Sequence, residues 1–296
     1  MMRIGLFLAT NFAILLLVSV VFKLLGLEGF LAENNVDLNL TSLLIFCALF
    51  GMSGSLISLF LSKMMAKRGA HVQLIEQPRT ESERWLLNTV KQLADAAGIK
   101  MPEVGIFPAS ESNAFATGWN RNNALVAVSE GLLRRFDKDE IRAVLAHEVG
   151  HVANGDMVTL TLIQGVLNTF VLFLSRIVGH VVDRTVFKTR DGYGPGYWVT
   201  VIVTQILLSV LATMIVMWFS RWREYRADAA GARLAGTTNM IGALQRLQSE
   251  YDAKSQLPNN LTAFGITSGF ARGFKQLFLS HPPLADRIAV LKSSNV

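Results

Sequence analysis

The sequence predicts a mixed α+β domain combined with a mainly α-helical membrane domain of about four transmembrane helices. Hydrophobic residues make up 51% of the 296 residues, and the mean hydropathy of the chain is positive. Four apolar stretches are long enough to cross about 30 Å of hydrocarbon. The polar stretches between and after them carry the short patterns of helices and strands. We therefore expect one polar domain assembled from two stretches of a membrane-spanning chain.

The apolar stretches divide the chain into an N-terminal transmembrane hairpin over residues 1–62, a polar part over 63–156, a second transmembrane hairpin over 157–219 and a polar part over 220–296. The expected spans are Ile4 to Leu25, Leu40 to Leu61, Met157 to Val182 and Tyr197 to Phe219. A removable signal peptide is the alternative for the first, but the apolar run is longer than a signal-peptide core. The third contains polar residues, so it is tilted, partly buried against protein, or only adjacent to the membrane.

Charged residues predict which side of the membrane the polar parts occupy. Lys63, Lys67 and Arg68 follow the second span, whereas the loop between the first two spans is acidic and contains no Lys or Arg. Under the positive-inside rule, both ends of the first hairpin face the cytoplasm. Topology thus explains the net charge of +6, and without a basic module containing interleaved aromatic residues we expect no nucleic-acid partner. The single cysteine, Cys47, lies in the second span, so no intrachain disulfide is expected.

The polar parts contain helix and strand signals. Thr80 and Glu83 form a capping-box pattern for a helix that should run to about Ala97. Short strands are expected at Glu103 to Phe107, Ser112 to Thr117 and Ala124 to Ser129. Further helices are expected at Arg223 to Leu234, at Thr238 to Tyr251 and from Pro282-Pro283 to about Leu291, with a loop over residues 252–272.

The pattern His147-Glu148-Val149-Gly150-His151 is the most informative in the chain. On a helix, two histidines four residues apart share one face and can bind one Zn²⁺, with Glu148 placed beside them as a general base. Asp137 and Glu140 form a capping box at the start of that helix, and Asn154-Gly155 is a stop signal. The alternative is a helix with two unrelated histidines, but the chain has only five His and two of them are here.

A hydrolytic zinc site usually has three protein ligands, so the two histidines need one more donor. After residue 156 the chain crosses the membrane twice and returns to the same side at Ser220; Glu224 is then the first acidic residue, and Asp228 follows one turn later. We expect Glu224 to bind the metal and Asp228 to accept the free N–H of a ligating imidazole. Two alternatives stay open: both carboxylates pair with neighbouring arginines on a solvated helix, or Asp156 is the third ligand or a helix cap.

Short motifs spread over the chain resemble those of the HtpX family of bacterial membrane proteases, which is related to the CAAX prenyl proteases. They are Met1-Met2-Arg3-Ile4, Ile75 to Arg79, Asn113 to Gly118, the histidine motif continued through Asn154 to Met157, Glu224 with Asp228, and His281-Pro282-Pro283-Leu284 with Arg287. The resemblance covers essentially the whole chain. It implies an α+β zincin-type metallopeptidase domain combined with the helical membrane domain, in the bacterial inner membrane with the catalytic part facing the cytoplasm.

Carried over by position, the resemblance implies one Zn²⁺ per chain. His147, His151 and Glu224 would be its ligands, Glu148 the general base, and Asp228 a hydrogen-bond partner behind the ligands. All of these positions match the family pattern.

The resemblance also implies roles for residues outside the zinc motif. His281 and Arg287 would bind the tetrahedral intermediate; the alternative is that Arg287 pairs with Asp286 or Asp252 and that His281 caps the last helix. The strand Ser112 to Thr117 would be the edge on which an extended substrate lies, while the residues alone fit an interior strand equally well. The expected contacts to substrate are Asn113, Ala114 and Phe115.

Together, the motifs and the resemblance predict an integral membrane zinc endopeptidase that acts on misfolded or damaged membrane proteins in stress-linked quality control. Its expected partners are membrane-protein or unfolded polypeptide substrates and the lipid bilayer. The alternatives are a prenyl-protein protease, which needs the same zinc chemistry, and a non-catalytic membrane protein with structural zinc. A structural site usually has a fourth ligand, often Cys, and Cys47 lies inside a span where it cannot serve.

Overall fold

Helices dominate the part of the chain that the computed structural model describes, which comprises residues 39–189, 192–255 and 281–294. Along the chain the elements are α1 (Leu40–Gly69), β1 (Gln73–Leu74), α2 (Glu81–Ala96), β2 (Glu103–Phe107), β3 (Ala114–Asn120), β4 (Asn123–Ser129), α3 (Glu130–Arg135), α4 (Lys138–Asn154), α5 (Asp156–Thr185), α6 (Pro195–Ala235), α7 (Thr237–Ser255) and α8 (Leu284–Ser293). The first expected span, Ile4 to Leu25, and most of the loop expected over 252–272 lie outside the described residues. The start of that loop, residues 252–255, continues α7.

The described residues form two compact units. The first unit contains the described residues up to Ile57 and the segment Thr161–Val216. The second unit contains the segment Ser58–Leu160 and the described residues from Met217 onward. The first unit is helical and the second combines helices with the sheet. This confirms the predicted combination of a helical membrane domain with an α+β domain.

Among the described residues, α1, α5 and α6 are the helices that are long and apolar enough to cross a membrane. Large apolar side chains on α1 and α6 are 59 to 63% exposed, as expected for surfaces that face lipid; they include Leu49, Phe50, Ile206 and Leu207.

The polar residues of α5 are satisfied by the protein. Gln164 Nε2 donates to Asn168 Oδ1 (2.9 Å), and Asn168 Nδ2 donates to Ser55 Oγ on α1 (3.3 Å). Of the three possibilities for this stretch, partial burial against a neighbouring helix is the one that fits these contacts.

The helix expected at Arg223 to Leu234 is not separate from the fourth span, because α6 continues from Pro195 to Ala235 without a break. The residues that follow Phe219 are Ser, Arg, Trp and Arg, none of which ends a helix. The prediction of helix over these residues is confirmed, and its continuity with the fourth span was not foreseen. Glu224 therefore lies on the same continuous helix as that span.

The sheet has the order β1-β2-β4-β3, with β2 and β4 parallel and the outer pairs antiparallel. β3 is thus an edge strand, as the resemblance implied, although it begins at Ala114 rather than Ser112 and extends to Asn120. The two-residue strand β1 and the short helix α3, which Ser129 caps, were not expected.

The core of the second unit is built by the sheet together with helices α2, α4, α7 and α8. Val126 and Val128 of β4, Leu86 and Val90 of α2 and Val149 of the motif helix α4 all belong to one buried cluster. Both α2 and α4 begin with the predicted capping boxes, and Gly155 ends α4 in the left-handed conformation. These signals fix the position of the histidine motif against the sheet.

The end of α1 is tied to the sheet by an ion cluster. Lys63 Nζ lies 2.8 Å from Glu103 Oε1, and Lys67 Nζ contacts Glu103 Oε2. Partial burial would raise the pKa of the Glu103 carboxyl, but the hydrogen bonds from Lys63 and Lys67 outweigh it and the pKa is lowered.

The lowered pKa predicts a pH dependence of stability. Because the folded-state pKa of Glu103 lies below the unfolded-state value, its contribution is present above the unfolded-state pKa and is lost as the pH falls through the folded-state pKa. Glu103→Gln should reduce the free energy of unfolding near neutral pH by less than about 1 kcal/mol, since the group is partly exposed. The difference should vanish in acid. Thermal unfolding of the full-length chain in detergent at several pH values measures it. The control is Asp95→Asn, which removes an exposed pair with Lys91.

Candidate metal centre

The motif helix α4 and the helix α6 meet where both carry small residues. A Cβ atom on Gly150 would lie 2.9 Å from the Ala230 Cβ and 3.3 Å from the Ala227 carbonyl oxygen, and one on Gly231 would lie 3.3 Å from the His147 backbone nitrogen. The two backbones therefore approach closely. This contact brings Glu224, one turn before Ala227, to the face of α4 that carries the histidines.

His147, His151 and Glu224 form one buried cluster whose potential ligand atoms all lie within 4.8 Å of one another. Glu224 Oε2 lies 3.5 Å from His147 Nε2, and Glu224 Oε1 lies 3.2 Å from His151 Nε2. The two imidazole rings are nearly perpendicular, with centroids 4.7 Å apart. The structure thus brings together the three residues that the sequence predicted as ligands.

Each imidazole has a carboxylate behind it. His147 Nδ1 lies 2.9 Å from Asp228 Oδ1, and His151 Nδ1 lies 2.7 Å from Asp156 Oδ2. A carboxylate can only accept, so each Nδ1 carries a proton; when a ring is neutral, its Nε2 lone pair therefore faces the cluster. Burial of Glu224 and Asp228 argues against the alternative of a solvated helix face.

Asp156 is the partner that the sequence reasoning missed, having considered it only as a third ligand or a cap. It is buried and is the first residue of α5. Gly155, with a φ of 68°, turns the chain back so that Asp156 meets His151. The sequence does contain a signal for this contact. Gly155 directly follows the helix that carries the histidines, and a glycine at such a helix end favours the left-handed conformation, which turns the chain back toward the last turn.

The carboxylates control the proton affinity of the rings. Burial by itself would lower the pKa of both imidazoles, but the hydrogen bond to Asp156 and then that to Glu224 raise the pKa of His151 to about 9. The bonds to Asp228 and Glu224 likewise raise the pKa of His147. A metal ion that binds these nitrogens therefore competes with protons.

Arg287 is buried, with 6% of its surface exposed, and its planar side chain binds Asp228 through two nitrogens. Its Nε donates to Asp228 Oδ2 (2.7 Å), and its Nη1 lies 3.6 Å from Glu224 Oε2. Among the described residues, the acidic partners of Arg287 are therefore Asp228 and Glu224, and not the surface residues Asp286 and Asp252 that were considered above. The pairing with Asp228 outweighs burial and raises the pKa of Arg287.

His281 and Glu148 complete the surroundings of the cluster. His281 Nδ1 lies 2.8 Å from Glu224 Oε2, and its side chain is largely exposed. Glu148 is partly buried on α4, and its charge contributes to the raised pKa of His151.

The predicted substrate contacts lie at the start of the edge strand. The backbone nitrogen of Asn113 donates to Ser129 Oγ (3.0 Å), Ala114 pairs with Val128, and the Phe115 ring packs 5.4 Å from the Phe107 ring. β3 also packs on α4, so this edge lies beside the motif helix.

Comparison with known proteins agrees with this geometry. The family model described as Peptidase family M48 matches residues 80–295. The chain is 65% identical to Protease HtpX of Hahella chejuensis over 294 residues, which are 99% of this chain and 100% of the relative. It is 63% identical to Protease HtpX of Pseudomonas fluorescens over 292 residues, which are 99% of both proteins. The chain belongs to the HtpX proteases of peptidase family M48. It is a membrane metallopeptidase, and the alternative of a non-catalytic membrane protein was wrong.

A solved structure shares the fold. The crystal structure of S. mikatae Ste24p matches with a TM-score of 0.60 at 21% identity, over 93% of this chain. This chain spans 64% of that protein. At this identity the likeness concerns the fold alone.

The carboxylates behind the rings make a prediction about metal affinity. Asp156→Asn and Asp228→Asn should each weaken metal binding by about 10- to 100-fold, because an amide no longer holds the imidazole in the binding orientation as a carboxylate does. Titration of the full-length chain with zinc against a competing chelator measures the affinity. The matched control is Asp286→Asn, an exposed acid beside Arg287, which should bind metal as the natural chain does.

The contact between α4 and α6 makes a second prediction. Gly150→Ala places a methyl group against Ala230 and should destabilise the domain by roughly 1–3 kcal/mol and reduce metal retention, because the helices must separate. Gly242→Ala is the control, since a Cβ there meets nothing within 4 Å; it should be neutral or stabilise by up to about 1 kcal/mol. Thermal unfolding and metal content distinguish them, and equal behaviour of the two variants would contradict the packing argument.

Proposed function

We propose that the chain is a zinc endopeptidase of the bacterial inner membrane that hydrolyses misfolded or damaged membrane proteins in stress-linked quality control, with its catalytic part in the cytoplasm. The observation that carries the proposal is the buried convergence of His147, His151 and Glu224 in a member of family M48. The cationic residues Lys63 and Lys67 at the end of α1 support the cytoplasmic orientation.

The donor set suits zinc. Two imidazoles and one carboxylate form a ligand set of hydrolytic zinc sites, whereas Mg²⁺ and Ca²⁺ prefer oxygen ligands alone. The buried Glu224 Oε1 lies 3.2 Å from His151 Nε2, so one cation can contact both atoms. We assign one Zn²⁺ per chain to these three residues. When bound, Zn²⁺ lowers the pKa of water and polarises a peptide carbonyl.

The side chains around the cluster would divide the remaining work. Glu148 accepts the proton of the attacking water and passes it to the leaving amine. Asp156 and Asp228 hold the two Nδ1 protons, so that the rings keep one tautomer through the reaction. His281 and Arg287 bind the oxyanion that forms when the carbonyl is attacked.

The substrate would lie extended along β3. An edge strand offers free N–H and C=O groups to a peptide main chain, with little demand on its sequence. Asn113, Ala114 and Phe115 are the residues of this edge assigned to substrate contact. Such binding fits unfolded segments, because a folded substrate has no free main chain to offer.

The test of the proposal is Glu148→Gln in the full-length chain, purified in detergent and given a denatured membrane protein. The substitution should lower kcat by about 10²- to 10⁴-fold while the zinc content stays near one per chain, since Glu148 moves a proton and is not a ligand. A chelator should abolish activity and added zinc should restore it.

The control variant His147→Ala should lose the metal itself. Loss of zinc from Glu148→Gln would refute the assignment, and cleavage of a prenylated peptide alone would favour the prenyl-protease alternative.

His281 and Arg287 should respond differently to substitution. His281→Ala should lower kcat by roughly 10²- to 10³-fold with little change in KM or zinc content, as for a donor that acts in the transition state. Arg287→Ala should lower kcat and also weaken zinc binding, because Asp228 loses the partner that fixes it. Steady-state kinetics with parallel metal analysis separates the two, and unchanged kcat in both variants would mean that other groups bind the oxyanion.

A further inference from the structure

The last turns of α1 are attached to the turn that joins β3 and β4. The ring of Phe60 lies 5.7 Å from that of Trp119 at the end of β3. One turn later on α1, Lys63 Nζ donates to Asn123 Oδ1 at the start of β4 (2.7 Å). The tip of this hairpin is therefore fixed at the point where the apolar part of α1 gives way to lysines.

Trp119 remains partly uncovered in this contact. Trp119 lies at the irregularity of β3 between Gly118 and Asn120, where the register of this strand on β4 shifts. Its surface is 41% exposed and that of Phe60 is 57% exposed. Phe60 belongs to a helix long and apolar enough to span a membrane. An exposed indole beside the first lysine after an apolar run is typical of a membrane–water interface.

The charge around the hairpin tip is mainly positive. Arg121 is exposed in the turn itself, and Lys63 binds the next strand at Asn123; Lys67 follows one turn later on α1, and both lysines pair with Glu103. Cations close to an apolar anchor complement anionic phospholipid headgroups. The apolar and the charged features therefore indicate the same partner.

We propose that the β3–β4 turn rests in the headgroup region of the leaflet from which α1 emerges, and that β3 receives polypeptide segments as they leave the bilayer. This rests on the proposed function, in which substrate lies along β3. The strand runs from Trp119 at the lipid surface to Ala114, a path of about 17 Å at the usual rise per residue, and it packs on the motif helix. A segment that adds to this edge at the membrane is thereby led toward the cluster of His147, His151 and Glu224.

The placement is tested without activity. Trp119→Cys in a Cys47→Ala background is labelled with an environment-sensitive dye, and the full-length chain is reconstituted in vesicles of phosphatidylethanolamine and phosphatidylglycerol. Emission should shift to the blue, and nitroxide lipids labelled at the headgroup should quench it. The control, Tyr251→Cys, carries the label at a position that is 70% exposed on α7 and should emit as in water. A label at position 119 that behaves like the one at 251 overturns the proposal.

The consequence for substrates is tested with Trp119→Ser. Cleavage of a membrane-inserted substrate in vesicles should fall about three- to tenfold more than cleavage of soluble unfolded casein in detergent. Tyr251→Ser should affect neither. An equal loss with both substrates would mean that Trp119 only supports the sheet, which overturns the proposal. A natural chain that cleaves neither substrate contradicts the proposed function instead, and the labelling experiment still decides the placement.

Discussion

The buried charges around His147 and His151 constrain the rest of the structure. Glu224, Asp228 and Asp156 are almost completely buried, and a buried carboxylate is stable only when it is paired. Arg287 supplies a buried compensating positive charge, Arg223 Nη2 lies 3.8 Å from Glu224 Oε1, and a divalent cation on neutral imidazoles would add two further charges. Protonation of both imidazoles supplies the same charge, which is why the carboxylates raise the pKa of these rings. The site is therefore built around a charge balance that metal or protons complete.

That balance requires helices far apart in the sequence to meet closely. Gly150 and Gly231 allow α4 and α6 to approach until the backbone of one touches side chains of the other. Glu224 can then reach both Nε2 atoms because α6 continues as one helix beyond its apolar part. The convergence of His147, His151 and Glu224 therefore depends on the small residues at this helix contact.

Local signals were sufficient for part of the structure. The capping boxes at Thr80 and Asp137 predicted α2 and α4, and the return of the chain across the membrane identified Glu224 as the third member of the cluster. What the sequence did not reveal depends on contacts between distant elements. The two-residue strand β1 is defined only by its partner β2. The bond of Arg287 to Asp228 joins α8 to α6, and no periodicity in either helix indicates it.

The edge strand raises the question of how selectivity arises. An open edge strand can pair with any extended main chain, so it does not select substrates by their side chains. It can also pair with the strands of other proteins and cause aggregation. β3 is short, and its register shifts between Gly118 and Asn120, which limits the length of regular edge available. The selection of substrates must then depend on which polypeptides reach this edge in an unfolded state. An edge fixed beside the apolar part of α1 meets chains at the bilayer surface first, so location can restrict the substrates where side-chain recognition does not.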